Sequence, residues 1–247
     1  GSFCAVAFSC ARPAPFNRLY GNLTGSCNTA LRKEGLRAME SVFMELKNLI
    51  DFIQAAYTEV TDEWLRNADI KSNLKKSQVA DMDTDGTIYR SIFEYVQLLN
   101  DKSADITLQL SDVCSYMVTA RVKAQNSIEY NIQTYKTSRH EFGKVPINKC
   151  LNDLFGVRVF LITPLTFEDI NKFIESTYSG RYKCIDSSKL DYKAVHIYFR
   201  KNNQSFPWEL QIWNMCDADS NFASHKKYKQ AYTTWEKESK EGGIING

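Results

Sequence analysis

Val157-Arg158-Val159-Phe160-Leu161-Ile162-Thr163 is the stretch on which the fold turns. Its residues are β-branched or large and apolar, with one arginine among them, and read as a strand buried in a sheet. Immediately after it, Thr166 and Asp169 are spaced as a capping box in front of Phe167, Ile170, Phe173 and Ile174, which predicts a helix. Two further strands are expected at Ala194–Arg200 and Trp208–Trp213, with Asn202, Asn203 and Pro207 as turn residues between them. Ser127 is expected to cap a short helix running towards Tyr135, and a polar helix should close the chain from about Ala218 to Ser239. This β-α-β-β-α order predicts an α+β fold, a mixed β-sheet packed with helices, over residues 105–240.

Upstream the period changes. From Ala30 to Leu74 the pattern is helical: Leu36, Met39, Val42, Phe43, Leu46, Leu49, Ile50 and Ile53 fall three or four apart, an amphipathic stripe. Trp64 and Leu65 continue it in a second helical segment. A polar break follows at Lys75–Asp85, and Ile92, Phe93, Val96 and Leu99 mark a third helix over about Ile88–Leu99. Residues 30–100 are therefore expected to form a helical N-terminal region, preceded by an irregular Pro-, Gly- and Ser-rich arm over 1–29. Gly1-Ser2, without a methionine, reads as a cloning scar, with native residues missing upstream.

Composition narrows the function classes. The chain has 247 residues, 43% hydrophobic, 24% charged and 13% aromatic, a globular profile that excludes disordered, collagenous and coiled-coil proteins. Thirty-one basic residues against 29 acidic leave a formal charge of +2, so any anion site must be local. No apolar run approaches the roughly 18 residues of a membrane span. Seven cysteines (4, 10, 27, 114, 150, 184, 216) are scattered singly, without a C-x-x-C pair, which fits reduced thiols in a cytoplasm and argues against a structural zinc. Phe3–Cys10 is apolar but short for a signal peptide and lacks a basic start.

Strand alternation points to where chemistry could sit. Tyr192, Ala194, His196, Tyr198 and Arg200 share one face, while Val195, Ile197 and Phe199 share the other. Glu209 and Gln211 lie opposite Leu210 and Ile212, and Arg158 lies opposite Val157 and Val159, with Asp153 just before its strand. If these faces coincide, Asp153, Arg158, His196 and Glu209 form one polar floor. Period alone leaves open whether each strand is merely half solvated.

The same residues carry a resemblance. Arg121-Val122-Lys123 with Ser127 resembles the R-x-K-x-x-x-S signature of the RelA/SpoT alarmone synthetases, and Asp153-Leu154-Phe155-Gly156-Val157-Arg158 resembles their D-x-x-G-x-R segment. Tyr192-Lys193-Ala194-Val195-His196 is similar to the G-Y-[RK]-[SA]-x-H loop, and Trp208-Glu209-Leu210-Gln211-Ile212 to the V-E-[IL]-Q-I strand. His225, followed by Tyr228 and Lys229, falls where the family has an E-H-x-x-x-Y-K-like helix. The four motifs occur in order over residues 115–230; the first 85 residues are not covered.

The resemblance implies a (p)ppGpp synthetase, which moves the β,γ-diphosphate of ATP to the ribose 3′-hydroxyl of GDP or GTP and releases AMP. By motif, Arg121 and Arg158 would clamp the adenine between guanidinium planes. Lys123 would hold phosphate with support from Ser127. Asp153 would bind Mg²⁺, and Glu209 would share the metal or take the proton of the attacking hydroxyl. Tyr192 would stack on the acceptor base, His196 would assist its ribose or phosphates, Lys189 would meet its phosphates, and Gln211 would complete the acceptor side. Two departures fall on that side: Asp191 stands in place of the loop glycine, and Q-I-R-T becomes Gln211-Ile212-Trp213-Asn214. They keep open a toxic small synthetase acting on the tRNA 3′ end or an adenine nucleotide, and a non-catalytic nucleotide- or RNA-binding module on the same fold. A second copy of the chain, and an antitoxin or regulator on the N-terminal helices, are further partners left open.

Three blander patterns are set aside. Asp81-x-Asp83-x-Asp85-Gly86 imitates an EF-hand start but puts Ile92 where a bidentate glutamate is needed, so it reads as a turn and cap before the Ile88 helix. Asn22-Leu23-Thr24 is a sequon without meaning in a cytoplasm. Lys226, Lys227 and Lys229 read first as a solvated helix face, although beside such a site they could touch RNA phosphates.

Overall fold

The computed structural model describes residues 25–68, 72–83 and 86–226, and within these the side chains other than those of 25–34, 36 and 138–140. The chain divides into two units, Gly1–Met44 and Glu45–Gly247. The described part of the first lies within helix α1 (Gly25–Asn67), so the helix opens at Gly25 rather than at Ala30. The rest of the expected arm lies outside the described residues. Trp64 does not belong to a second segment. Leu46, Leu49, Ile50, Ile53, Tyr57, Val60 and Trp64 are all buried at three- and four-residue spacing, with no Gly or Pro to interrupt them. Helix α2 (Thr87–Val113) likewise outruns its expected end, because Ile106 and Leu110 prolong the buried stripe of Ile92, Tyr95, Val96 and Leu99. Its N-cap is Gly86, whose amide donates to the Asp83 carbonyl, as expected of a cap before this helix; residues 84 and 85 of the acidic run lie outside the described residues.

Downstream come β1 (Met117–Val122), α3 (Gln125–Tyr135), the single turn α4 (Ile147–Cys150), β2 (Phe155–Leu161) and α5 (Phe167–Tyr178). Strands β3 (Cys184–Asp186), β4 (Val195–Phe199) and β5 (Trp208–Asn214) follow, then a helical stretch at 218–226. The expected continuation of that stretch over 227–239 lies outside the described residues. The α5 cap forms as read: Asp169 N–H donates to Thr166 Oγ1 at 3.2 Å and Thr166 N–H donates to Asp169 Oδ2 at 3.0 Å. The α3 cap does not. Ala124 is the N-cap, and Ser127 sits inside the first turn with its amide donating to the Ala124 carbonyl. The helix starts early because β1 ends just before it, where Lys123 N–H donates to the Leu154 carbonyl.

The sheet is mixed, in order β1-β2-β5-β4-β3, with β2 and β5 parallel and every other pair antiparallel. Two of its strands, β1 and β3, were not anticipated, and β2 is shifted two residues towards the N-terminus. One face carries Phe155, Val157, Val159, Trp208, Leu210, Ile197 and Phe199 into the main core. Trp208 lies 4.3 Å from Phe155 and 5.4 Å from Tyr57 of α1, and its indole N–H donates to Tyr95 Oη of α2 at 2.8 Å. Helices α1 and α2 thus cover this face, while the other carries the polar residues beside a second buried cluster of Phe160, Ala194, Trp213 and Ala218. No described helix is long and apolar enough to cross a membrane.

Candidate functional site

Register settles what alternation left open. Gln211 on the central strand β5 stands opposite Arg158 of β2 on one side and His196 of β4 on the other. Two residues earlier, Glu209 stands between Gly156 and Tyr198. Directly paired residues share a face, so Arg158, His196, Tyr198, Glu209 and Gln211 occupy one side of the sheet. Arg121 joins that side of the edge strand, opposite Gly156. A Cβ on Gly156 would meet nothing within 4 Å, so there is open space on the sheet between Arg121 and Glu209.

Glu209 is the centre of the hydrogen bonding. Only 5% exposed, it accepts from His196 Nδ1 at 2.9 Å, from Tyr198 Oη at 2.9 Å and from Gln211 Nε2 at 2.6 Å. Burial alone would raise its pKa, but the hydrogen bond and charge of His196, with Gln211 and Tyr198, outweigh it and hold the carboxyl below its ordinary range. With Nδ1 given to the carboxylate, His196 turns Nε2 to the Tyr192 hydroxyl at 3.0 Å. Burial raises the Tyr192 phenol to about 12, so it stays protonated in that contact. Tyr198 is raised further, first by burial, then by the charge of Glu209 and, more weakly, that of Asp153. Both carboxylates therefore act on one hydroxyl.

Asp153 precedes β2 and is held by Lys123, whose Nζ reaches its two oxygens at 2.7 and 2.8 Å, with Arg121 at 3.8 Å. Lys123 is nearly buried whereas Arg121 is largely exposed. Arg158 is fixed from three directions. Its Nε and Nη2 donate to Gln211 Oε1 at 3.0 and 2.8 Å, its Cζ lies 3.7 Å from the centroid of the Trp213 ring, and Nη2 is 3.4 Å from His225 Nε2. Burial lowers the guanidinium to about 10, which still leaves it charged at neutral pH. Burial, with Arg158 and Arg121 nearby, lowers His225 to about 4, so it is neutral there.

Arg121, Lys123, Asp153, Arg158, Tyr192, His196, Glu209 and Gln211 are thus brought together. Gln211 bridges Glu209 to Arg158, which ties the expected acceptor side to the expected ATP side. Ser127 and Lys189 stand apart from this network. The Ser127 hydroxyl has the Asn126 side-chain oxygen as a neighbour at 3.5 Å. Lys189 is exposed and contributes its backbone to a two-residue turn closed on Tyr192. Three participants were not read as site residues. Tyr198 was legible from the β4 alternation, whereas Trp213 appeared only as a departure from a motif and His225 only as part of a helix pattern. Among the described residues, no group of three or more His, Cys, Asp or Glu side chains is arranged to hold a metal.

No protein-family model matches the chain, and no curated protein matches it. Solved structures similar to it include small alarmone synthetase 1 from Bacillus subtilis bound to its product pppGpp, 17% identical, covering 65% of this chain and 95% of that one, with a TM-score of 0.31. Small alarmone synthetase 2 from Bacillus subtilis is 18% identical over 64% of this chain and 90% of its own, with a TM-score of 0.35. A GTP pyrophosphokinase family protein from Streptococcus pneumoniae is 18% identical over 63% and 89%, with a TM-score of 0.32.

Proposed function

We propose that this chain is a pyrophosphokinase that moves the β,γ-diphosphate of ATP to the 3′-hydroxyl of GDP or GTP and releases AMP. One observation carries the proposal: four sequence-separated motifs put three cationic side chains, two carboxylates and a Tyr-His-Glu chain on one side of one sheet. Diphosphate transfer asks a protein mainly for positioning and charge neutralisation, and those are what these groups offer.

The roles follow from the contacts. Arg158, flat against Trp213 and locked by Gln211, presents its remaining face to a planar base. Lys123 and Arg121, which neutralise Asp153, turn their donors to phosphate oxygens when ATP enters. Mg²⁺ fits the donor set, since it commonly takes one or two carboxylates and completes its shell with phosphate and water. Asp153 and Glu209 are the residues that would hold it, and when bound it supplies neutralisation of the transferred phosphates. The acceptor O3′–H bond breaks as O3′ bonds to the β-phosphorus, and the bond from that phosphorus to the α-phosphate bridging oxygen breaks to release AMP. The proton goes to the Glu209–His196 pair, with Glu209 orienting the imidazole.

Tyr192 stacks on the acceptor base. Trp213, standing where the motif has arginine, reduces the positive charge on this side. That departure keeps a second reading in which the acceptor is the tRNA 3′ end or an adenine nucleotide rather than GDP or GTP. Incubation with γ-labelled ATP, Mg²⁺ and, separately, GDP, GTP, ATP or deacylated tRNA tests both. Label in GDP or GTP with stoichiometric AMP is expected, and Glu209→Gln should reduce it by about 10³-fold or more. Label in tRNA alone would refute the guanine-nucleotide acceptor. AMP from no acceptor would leave a binding module.

A further inference from the structure

The Tyr192 loop leaves the sheet one step before β4 begins. The β4–β5 register ends at Val195 with Ile212, so no rung forms between Lys193 and β5. Lys193, directly after Tyr192, therefore has no strand residue to pair with there. Its partner is a side chain. The Asn221 amide of the helical stretch 218–226 accepts from Lys193 N–H at 2.7 Å and donates to the Lys193 carbonyl at 2.8 Å. Asn221 is completely buried. A planar amide that satisfies the N–H and C=O of one residue mimics a rung of β-ladder.

The clamp has a consequence for the neighbouring ring. Tyr192 lies edge-on to His196, Trp213 and His225, at centroid separations of 6.2, 5.8 and 5.4 Å and interplanar angles of 83–84°. His225 rides on the same helical stretch as Asn221, one turn further on. Orientation of the Tyr192 plane is thus set by packing on one side and by the backbone at position 193 on the other. The loop before it is closed by the mutual Lys189–Tyr192 backbone pair and by Ser187 N–H donating to the Ala194 carbonyl.

We infer that Asn221 is a positioning residue for the acceptor: its amide holds the backbone at Lys193 so that the Tyr192 ring is pre-set as a stacking surface for the acceptor base. The inference rests on the proposed acceptor role of Tyr192. Freeing Lys193 from the amide lets the loop rotate, and the binding energy then has to reorder it. Asn221 touches no reacting atom, and the Gln211 and Trp213 contacts of Arg158 on the ATP side are made between strands of the sheet.

The test is a steady-state comparison of full-length wild type, Asn221→Ala, Asn221→Asp and Asp217→Ala, with each nucleotide varied in turn. Asn221→Ala should raise the acceptor KM by about tenfold, the scale of one or two lost hydrogen bonds, with the ATP KM within about twofold. Asn221→Asp keeps the acceptor half of the clamp but sets an oxygen against the Lys193 carbonyl, so it should raise the acceptor KM at least as far as alanine does; if one of the two variants fails to fold, the other is the readout. Asp217→Ala cuts the 3.0 Å Lys193–Asp217 ion pair, a second link between the same segments, and should leave the acceptor KM unchanged. A lower kcat with both KM values unchanged, or equal rises in both KM values, would overturn the inference. So would an effect of Asp217→Ala as large as that of Asn221→Ala. If wild type releases no AMP, the proposed activity falls, and equilibrium dialysis of GDP and ATP then judges Asn221. Selective loss of GDP binding in Asn221→Ala would sustain the positioning role, and equal or absent binding in both proteins would end it.

Discussion

Replacing Trp213 with leucine removes the surface on which Arg158 lies. The guanidinium carbon is 3.7 Å from the ring centroid, the indole is fully buried and the guanidinium half-buried, so this is a largely desolvated cation–π contact. Such contacts are worth about 2 kcal/mol. Gln211 still grips Nε and Nη2 in the variant, so part of the orientation survives. The expected weakening of ATP binding is about 1–1.5 kcal/mol, or roughly five- to tenfold in Kd. Truncating a buried aromatic also costs about 2–3 kcal/mol of stability, which lowers Tm by roughly 4–12 °C for a unit of this size. Trp213→Phe keeps a π face and should lose less than about threefold in ATP affinity. Calorimetric titration of ATP into each variant, beside a thermal melt, reads the two effects separately. A Trp213→Leu protein that melts early but binds ATP as wild type does would refute the support given to Arg158. Equal losses of affinity in Leu and Phe would refute it too.

Tyr95→Phe strips the Trp208 indole N–H of its acceptor inside the core and should cost about 1–3 kcal/mol in urea unfolding, with the KM for ATP unchanged. The depressed His225 pKa gives a pH dependence of fixed sign. Between the ordinary value near 6.5 and the folded value of about 4, the unfolded chain binds the proton more readily than the folded one. Stability attributable to His225 is therefore intact above pH 6.5 and falls as the pH drops towards 4. The difference between wild-type and His225→Phe unfolding curves should grow over that window, and a flat difference would count against it.

Three of the five strands could be read from the sequence, and the physical reasons for the division are plain. Strands β2, β4 and β5 are central or nearly so, and burial on one or both faces writes period-two alternation or an apolar run into their residues. Strand β1 is an edge whose residues alternate between exposed and half-buried, and β3 spans three residues, so neither gathers enough apolar side chains to be recognised. Helix α5 announced itself because its cap is made by its own side chains. The α3 cap did not, because the end of β1 rather than a hydroxyl decides where that helix starts. Within the site, alternation placed Arg158, His196 and Glu209 on faces, but only register could tell that Gln211 bridges two of them. Asn221 had no local signal, because its partner lies 28 residues away in sequence, and the helix pattern that held His225 said nothing of its contact with Arg158, 67 residues away.

Strand β5 is buried on both sides from Trp208 to Trp213, with Trp208, Leu210 and Ile212 towards the helices and Glu209, Gln211 and Trp213 towards the site. A slip of one residue against β2 or β4 would exchange these two sets. Glu209 would then face Tyr57 and Phe155, where no histidine, tyrosine hydroxyl or amide waits for it, and an ionised carboxylate without partners cannot be accommodated there. The carboxylate at the centre of the site's hydrogen bonding therefore also acts as a registration mark during folding. A nascent sheet that closes out of step is rejected by the residue around which the candidate site is built.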